Sequence, residues 1–347
     1  MVSTINFDVS KSNNKSPVEN KPNNTIVHNQ DEFLNNSNFL LEDVKSAYQE
    51  FSINDLKDDK KLEYLSNKEK GFYLDEQYVK NYINQNKSLN EINQVSRTIQ
   101  NAQSNNGYPT DSLSDLFNEV KQSIVSGKND YLDVLKDIFS KYMGFVKELR
   151  EILSDLSQIT KAGSKDGYIN INPNDLFNKL NALKTKAQRP GFFDLGMTFM
   201  KENDGRYYRI IDGEKIYYSN NSEVDNAIMA VEKLLSQIKG VTSKKTDNSK
   251  DIMPNIAFLF NVNLDLSGLN KLIDYLNKMP QGAHDILQTE FDLIKKTLDS
   301  VEKGVNANLD ELSKKYSSAN SNYDNFVKVV SSTMNTLLEM AKGFLRF

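Results

Sequence analysis

The sequence contains no cysteine, so disulfide bonds, thiolate metal sites and a cysteine nucleophile are all excluded. Only two histidines occur, His28 in a polar tract and His284 close to Gly282 in a segment of loop composition. We expect both to be solvated surface residues. The glycine motifs of nucleotide-binding loops, the HExxH zinc motif and the GxSxG elbow are also absent. We therefore expect a binding or assembly protein rather than an enzyme, with no metal and no catalytic residues.

Long apolar runs are missing too. The densest apolar patch, Ile256 to Phe260, is far too short to cross a bilayer. The first residues, MVSTINFDVSKSNNKS, lack the basic start and the apolar stretch of a secretory signal peptide. We expect a soluble protein that, if exported, leaves the cell by another route. The net charge of -4 predicts no basic face for nucleic acid.

The N-terminal third divides into a polar tract and a helical region. Residues 1–36 are rich in Asn, Ser and Lys, which predicts disorder. Residues 37–104 hold two amphipathic stretches separated by SNKEKG, which ends at Gly71. This pattern predicts a helical hairpin with a break at that tract.

Two distant segments show the rhythm of a coiled coil, with apolar residues at alternating steps of four and three. We predict that residues 105–162 and 285–347 pair as one antiparallel coiled coil within the chain. The second segment contains an extra step of four, from Val305 to Leu309, beside Gly304. The predicted seam residues are Tyr131, Leu135, Ile138, Tyr142, Phe145, Leu149, Ile152, Leu156, Tyr316, Ala319, Tyr323, Phe326 and Val330.

The intervening residues, 163–284, mix helix and strand signals and predict an inserted α+β domain. Asp212-Gly213 lies between aromatic and β-branched residues, which indicates a β-hairpin. We predict a helix over residues 174–186, a helix capped by Ser222, an exposed loop over residues 240–251, a strand from Ile256 to Leu264 and a helix capped by Ser267. The fold class is therefore mainly α: a long intramolecular antiparallel coiled coil with an N-terminal helical hairpin and an inserted α+β distal domain.

The stretch KKYSSANSNYDNFVKVVSSTMN, Lys314 to Asn335, is unusual for a helix because small polar residues interrupt it throughout. One interpretation is a solvated helix face. The other is a shallow, weakly charged surface on which another subunit can lie closely, since interface centres are depleted in charge. Spacing alone does not decide between them.

The same stretch closely resembles the C-terminal helix of type III secretion needle-tip proteins. The similarity is greatest to the branch of invasion plasmid antigen D and Salmonella invasion protein D. It is carried by KYSSANSNYDNFVKVVSST, Lys315 to Thr333, with support from the terminal GFLRF and from Asp130, Tyr131 and Leu132. The layout along the chain, with its long helices flanking a mixed insert, agrees with the resemblance.

The resemblance implies a function. Such proteins leave the bacterial cytoplasm through the type III apparatus and form a small ring, usually a pentamer, on top of the needle at the cell surface. There they hold back secretion, sense the host and provide a platform for translocator proteins, so the host membrane is reached only indirectly. The N-terminal hairpin acts as a built-in chaperone. We expect no cofactor. Some members of the family bind bile salts near the junction of the coiled coil and the insert, which makes a bile salt a candidate sensed ligand.

From this resemblance we expect the polar stretch to dock the needle subunit and neighbouring copies. The candidate docking residues are Asn320, Asp324, Asn325, Lys328 and Ser332. An alternative from another class is a secreted adhesin or toxin-delivery module on a coiled-coil stalk, with a receptor site in the insert. An enzyme in the insert is a more distant hypothesis.

Overall fold

The computed structural model describes residues 35–44, 46–48, 51, 59–103, 111–188, 197–211, 214–247 and 256–344. Their contacts form two compact units. The first, which we call the helical unit, holds the described residues before 52 together with 72–103, 111–128 and 317–344. The second, the mixed unit, holds 59–71 and the described residues of 129–316. Residues 1–34 of the predicted disordered tract, with His28, lie outside the described residues.

The helical unit is built from α1 (residues 35–44), most of α2 (Asn67–Gln103), α3 (Asp111–Ser126) and the C-terminal part of α8 (Gln288–Phe344). On α8, Tyr323 donates a hydrogen bond from its hydroxyl to the carbonyl of Ile124 at 2.9 Å. The ring of Phe51 lies 5.7 Å from that of Tyr323 and 6.0 Å from that of Phe326. The buried apolar residues of this unit include Ile92, Val95, Phe117, Val120, Ile124, Tyr323, Phe326, Val330, Met334 and Leu337.

Helix α2 begins within the tract that was predicted to break the chain. A 3-10 helix, Lys60–Tyr64, precedes it. The amide of Ser66 donates to the Glu69 carboxylate at 2.8 Å, and the Ser66 hydroxyl accepts from the amide of Glu69 at 3.4 Å. This reciprocal capping box starts a helix, so the prediction of a break ending at Gly71 is wrong.

In the mixed unit, α4 (Asp133–Ser154) packs antiparallel to the N-terminal part of α8. The Phe139 ring lies 5.9 Å from that of Tyr316, and Arg150 donates to the Glu302 carboxylate at 2.9 Å. Because Phe139 precedes Arg150 while Tyr316 follows Glu302, the two helices run in opposite directions. The predicted antiparallel pairing is confirmed. All thirteen predicted seam residues are buried except Ile152, which is half-buried.

The insert follows a short 3-10 turn, Asp155–Ser157, and contains two antiparallel sheets. A small sheet has the order β1-β2-β8, and a larger sheet has the order β5-β4-β3-β7-β6. Three helices accompany them: α5 (Pro173–Gln188), α6 (Asn221–Leu235) and α7 (Ser267–Asn277). The strands are β1 (Thr160–Ala162), β2 (Tyr168–Ile171), β3 (Met197–Lys201), β4 (Tyr207–Ile211), β5 (Glu214–Tyr218), β6 (Val241–Asp247), β7 (Ile256–Leu264) and β8 (His284–Leu287).

Several local predictions in the insert are wrong. Most of the predicted loop 240–251 is strand β6, an edge strand whose polar residues lack the apolar alternation of a covered strand. The cap of α6 is Asn220, whose side chain accepts from the amide of Glu223 at 3.0 Å, rather than Ser222. At α7, Asp265 accepts from the amide of Ser267 at 2.9 Å, so Ser267 receives a cap instead of providing it. The Asp212-Gly213 turn lies outside the described residues, but β4 and β5 pair on both sides of it.

Candidate docking surface on helix α8

The small polar residues of α8 lie against α2. Ser317 and Asn320 are fully buried, although neither carries an apolar side chain. The Ser317 hydroxyl donates to the side-chain carbonyl of Gln77 at 3.1 Å. The side-chain amide of Asn81 donates to both the backbone and the side-chain oxygen of Asn320, each at 2.9 Å. In this structure the part of the polar stretch around Ser317 and Asn320 is therefore covered by a helix of the same chain, so it is neither solvated nor open to another subunit.

The contact continues for two more turns of α2 and three more turns of α8. The side-chain amide of Asn84 donates to the Asp324 carboxylate at 2.8 Å. The hydroxyl oxygens of Ser88 and Ser331 lie 2.5 Å apart. We call this line of contacts the polar seam. Its members are Gln77, Asn81, Asn84 and Ser88 on α2, and Ser317, Asn320, Asp324 and Ser331 on α8.

Asp324 is the charged member of the polar seam. Its carboxylate also receives the ammonium groups of Lys328 at 2.6 Å and Lys80 at 3.3 Å. Partial burial acts to raise the pKa of Asp324, but the hydrogen bonds from Lys328 and Asn84 and the two lysine charges together hold that pKa below its ordinary value. Asp324 is therefore ionised at neutral pH, and α2 contributes to its charge neutralisation.

Helix α8 thus presents two chemically different faces within the helical unit. On one side Tyr323 and Phe326 are buried among apolar and aromatic side chains. On the other side the contacts are hydrogen bonds between polar groups. The neutral ones each contribute only about 0.5–1.5 kcal/mol net because water can replace them, and those to the ionised Asp324 contribute about 1.5–3 kcal/mol. The middle of α2 is therefore held mainly by polar contacts, while Leu74 and Ile92, on either side of that region, are apolar and fully buried.

The α2 half of this seam was not predicted from the sequence. The amphipathic pattern of residues 37–104 favours apolar positions for packing, yet Tyr82 in the middle of α2 is exposed and Asn81 beside it is buried. The sequence does contain a pattern that indicates this arrangement. When the coiled-coil spacing of three and four is continued from Val95 towards the N-terminus, it falls on polar residues in the middle of α2. The buried or half-buried positions of that rhythm are Leu74, Tyr78, Asn81, Gln85, Ser88, Ile92 and Val95.

The structure divides the five candidate docking residues into two groups. Asn320 and Asp324 belong to the polar seam, where Asn320 is buried and Asp324 is half-buried beneath α2. Asn325, Lys328 and Ser332 are exposed, and their spacing of three and four places them along one stripe of α8. Docking through the first group requires α2 to leave, whereas the second group is accessible without any change.

A long antiparallel coiled coil with an α+β insert, and a polar helix face covered in cis, place this chain in the class of coiled-coil proteins with an inserted domain. Residues 84–345 match the family described as type III secretion systems tip complex components. The chain belongs to this family, and the resemblance noted in the Lys315 to Thr333 stretch is confirmed.

Curated relatives support the assignment. The chain is 25% identical to the cell invasion protein SipD of Salmonella typhi over 241 residues, which is 69% of this chain and 63% of that protein. It is 21% identical to the invasin IpaD of Shigella flexneri over 235 residues, which is 67% of this chain and 60% of that protein. The similarity therefore spans less than two thirds of the length of either relative.

Among solved structures, BipD of Burkholderia pseudomallei is similar, with a TM-score of 0.42 and 15% identity over 86% of this chain and 93% of that chain. A pathogenicity island 1 effector protein of Chromobacterium violaceum has a TM-score of 0.43 and 15% identity over 91% of this chain and 98% of that chain. In the described part of this chain, no helix is long and apolar enough to cross a membrane.

Proposed function

We propose that this protein caps the needle of a type III secretion system. There it controls secretion, takes part in host sensing and provides a platform for translocator proteins. The proposed partners are the needle subunit, the translocators and further copies of the chain in a ring, usually a pentamer. The protein would pass from the bacterial cytoplasm to the needle tip at the cell surface. Membership of the tip complex family supports this role.

The single observation that carries the proposal is the cover that α2 places over Asn320 and Asp324. A surface meant only to complete a core would be expected to use apolar side chains, which stabilise a helix pair without the cost of burying polar groups. A surface that must lose one helix and then bind another benefits from polar side chains, because water can hydrogen-bond to them while no helix is bound. The polar seam consists of such side chains.

Docking by this route has two steps. First α2 leaves the polar seam, and its hydrogen bonds are exchanged for bonds to water at a small net cost per bond. A helix of the needle subunit, or of a neighbouring copy, then lies on the exposed face, where short side chains allow close approach. In the free protein α2 prevents premature self-association, which is the proposed chaperone role of the N-terminal hairpin.

We propose a structural and regulatory role rather than an enzymatic one. The relatives are named as invasion proteins. The bile salt expected from the resemblance stays a prediction, which isothermal titration of the purified protein with deoxycholate can check.

The absence of native cysteine provides a direct experiment. Because the hydroxyl oxygens of Ser88 and Ser331 are 2.5 Å apart, the double variant Ser88→Cys and Ser331→Cys should form a disulfide, whose sulfurs are bonded at about 2.0 Å. The disulfide would hold α2 on α8 at the polar seam. Isotopically labelled needle subunit is then titrated with the double variant, and docking is followed by NMR. The titration is done once with the disulfide formed and once after its reduction.

We expect the oxidised double variant to lose docking and the reduced one to regain it. Each single cysteine variant, treated with the same oxidant, is the matched control and should dock like the unmodified protein. Equal docking by the oxidised and reduced double variant would show that α2 does not cover the docking face. Loss of docking by every form, including the unmodified protein, would contradict the needle-tip role itself.

A further inference from the structure

Within the helical unit, α2 buries polar side chains and exposes apolar ones. The polar seam places Asn81 and Ser88 against α8, where both are buried. Three large apolar residues of the same helix are exposed: Phe72 at 65%, Val79 at 53% and Ile83 at 59%. A helix that only packs on α8 would be expected to carry its apolar residues on the packed side. The exposed side of α2 therefore has the composition of a second packing surface.

The three exposed apolar residues lie on one stripe of the helix. At about 100° per residue, positions 72, 79 and 83 fall within roughly 40° of one another, and their mean direction lies about 150° from that of the polar seam. Single exposed apolar residues are ordinary on protein surfaces, whereas a contiguous apolar patch is typical of an interaction site. We call Phe72, Val79 and Ile83 the outer stripe of α2. Tyr82, which is also exposed, lies at its edge.

Charged residues of opposite sign flank the two halves of the outer stripe. Glu76 precedes Val79, Lys87 follows Ile83, and both charged residues are exposed. They project about 40° and 60° to the same side of the stripe. When two identical helices pack antiparallel about a two-fold axis, each flank meets the same flank of the other copy. The outer stripe is therefore self-complementary in charge for an antiparallel pair.

We propose that the outer stripe of α2 is an interface between two copies of this chain, packed antiparallel about a two-fold axis near residue 81. In this register Val79 of each copy packs against Ile83 of the other. Glu76 of each copy lies level with Lys87 of the other, so the symmetry forms this ion pair twice. Both kinds of contact favour a second copy of the chain as the occupant of the stripe.

The proposed pair leaves the polar seam intact. Its interface uses the side of α2 that faces away from Asn320 and Asp324, so the docking face of α8 stays covered in both copies. It is therefore different from the association through α8 that α2 is proposed to restrain. The inference goes beyond the proposed function and does not depend on it.

Lys80 lies on the same flank as Glu76 and close to the two-fold axis, which brings two ammonium groups towards each other in the pair. Each of these groups already lies 3.3 Å from the Asp324 carboxylate of its own chain. That carboxylate offsets part of the repulsion, and an exposed ammonium group is further screened by salt. We therefore expect Lys80 to weaken the pair only slightly.

The size of the contact predicts a weak, reversible pair. From residue 72 to residue 90 the helix is about 27 Å long. Two such helices bury roughly 800–1,000 Å² in total, whereas stable specific complexes bury about 1,200–2,000 Å². We therefore expect a dissociation constant of roughly 10–100 μM, with dimers at high concentration and monomers on dilution.

Sedimentation velocity of the full chain over a series of concentrations tests the pair. Ile83→Glu places a charge at the centre of the interface and should weaken dimerisation at least about tenfold. Leu293→Glu is the matched control, because Leu293 on α8 is 58% exposed and Ile83 is 59% exposed. It should dimerise like the unmodified protein. Both substitutions are at exposed positions, so both variants should fold, which a circular dichroism melt checks.

Charge reversal tests the antiparallel orientation. Glu76→Lys and Lys87→Glu each bring like charges together at two places in the pair, so each should weaken dimerisation about threefold to tenfold. The double variant exchanges the two charges and should regain the dimerisation of the unmodified protein. In a parallel pair, residues 76 and 87 would be far apart, so failure of the double variant to regain dimerisation would overturn the proposed orientation.

A chain that stays monomeric at every concentration would overturn the interface, and so would a dimer that Ile83→Glu leaves unchanged. A monomer whose docking to the needle subunit is lost in Ile83→Glu would assign the outer stripe to that subunit instead of a second copy. The proposed function fails separately: a dimer that never docks the needle subunit keeps the interface and contradicts the function, whereas a permanent monomer that docks does the reverse.

Discussion

The side-chain amide of Asn81 on α2 donates to both oxygens of Asn320 on α8, each at 2.9 Å. This pair lies at the middle of the polar seam, where an intramolecular coiled coil would ordinarily have apolar side chains. A buried amide pair makes the register of two helices specific but adds little net stability. The first prediction follows from this balance.

Asn81→Ala should weaken the cover over the docking face. It removes the buried amide that donates both hydrogen bonds to Asn320, a loss that costs about 1–3 kcal/mol of unfolding free energy. Urea denaturation followed by circular dichroism measures that loss. Because less energy is then needed to displace α2, docking of the needle subunit should become tighter, not weaker.

Asn86→Ala is the matched control, since Asn86 is an exposed asparagine on the same helix. It should change the unfolding free energy by no more than about 0.5 kcal/mol, and the docking affinity should stay the same. An Asn81→Ala protein that loses docking as well as stability would indicate that Asn81 supports the docking face and does not restrain it.

The exposed stripe of α8 gives a second prediction. Asn325→Arg places a large charged side chain where close approach of a neighbour is expected, so docking should weaken at least about tenfold. Surface changes of this kind alter stability by no more than about 0.5 kcal/mol, and a thermal melt can confirm it. Asn118→Arg, at an exposed position of α3, is the control that should dock normally. Unchanged docking in Asn325→Arg would remove this stripe from the candidate surface.

The large elements were predictable from the sequence because they follow repeating apolar patterns. The antiparallel coiled coil and the strand Ile256–Leu264 both appear as expected. The pattern persists because each of these elements buries one side against a neighbour, and burial selects apolar residues at the period of the element. Family membership was predictable for a different reason, since the Lys315 to Thr333 stretch keeps a specific series of residues.

The missed features are those in which polar residues do the packing. Asn81 and Ser88 are buried without being apolar, and strand β6 is formed by residues such as Thr242 and Lys244. Local spacing does not distinguish a buried polar helix face from a solvated one, because the partner comes from more than 200 residues away. The pairing of Asp130 with Arg209 was not predictable either, because the two residues are 79 positions apart in the sequence.

Two glycines of the mixed unit provide a third prediction, a contrasting pair. Gly240 has a backbone φ angle of +79°, which residues other than glycine rarely adopt. A Cβ atom at this position would also overlap the side-chain nitrogen of Asn308 on α8. Gly240→Ala should therefore destabilise the protein by roughly 1–3 kcal/mol, from backbone strain and the clash. Gly304 lies inside α8, where an added Cβ atom would meet open space, so Gly304→Ala should stabilise the protein by about 0.5–1 kcal/mol. Calorimetric melts of both variants test the contrast, which fails if the two shifts have the same sign.

Asp285 on β8 gives a prediction of pH dependence. Hydrogen bonds from the Ser164 hydroxyl, the Asn170 amide and the Ser164 backbone lower the pKa of Asp285 from 3.8 to about 2. Because the folded pKa is depressed, the ionised carboxylate stabilises the fold above pH 3.8, and this contribution is lost as the pH falls towards 2. Carboxyl chemical shifts measured by NMR should show the low titration midpoint. Ser164→Ala should move the midpoint towards 3.8, and an unchanged midpoint would contradict the role of Ser164.

The buried pair of Asp130 and Arg209 provides the last prediction, which concerns stability alone. Arg209→Met leaves a buried carboxylate with only Tyr218 to hydrogen-bond it, so the unfolding free energy should fall by roughly 3–5 kcal/mol. Adding Asp130→Asn removes the charge that Arg209 compensates, and the double variant should recover part of that loss. Denaturant unfolding of both single variants and the double variant gives the coupling energy. Strictly additive losses would mean that the two side chains stabilise the protein independently.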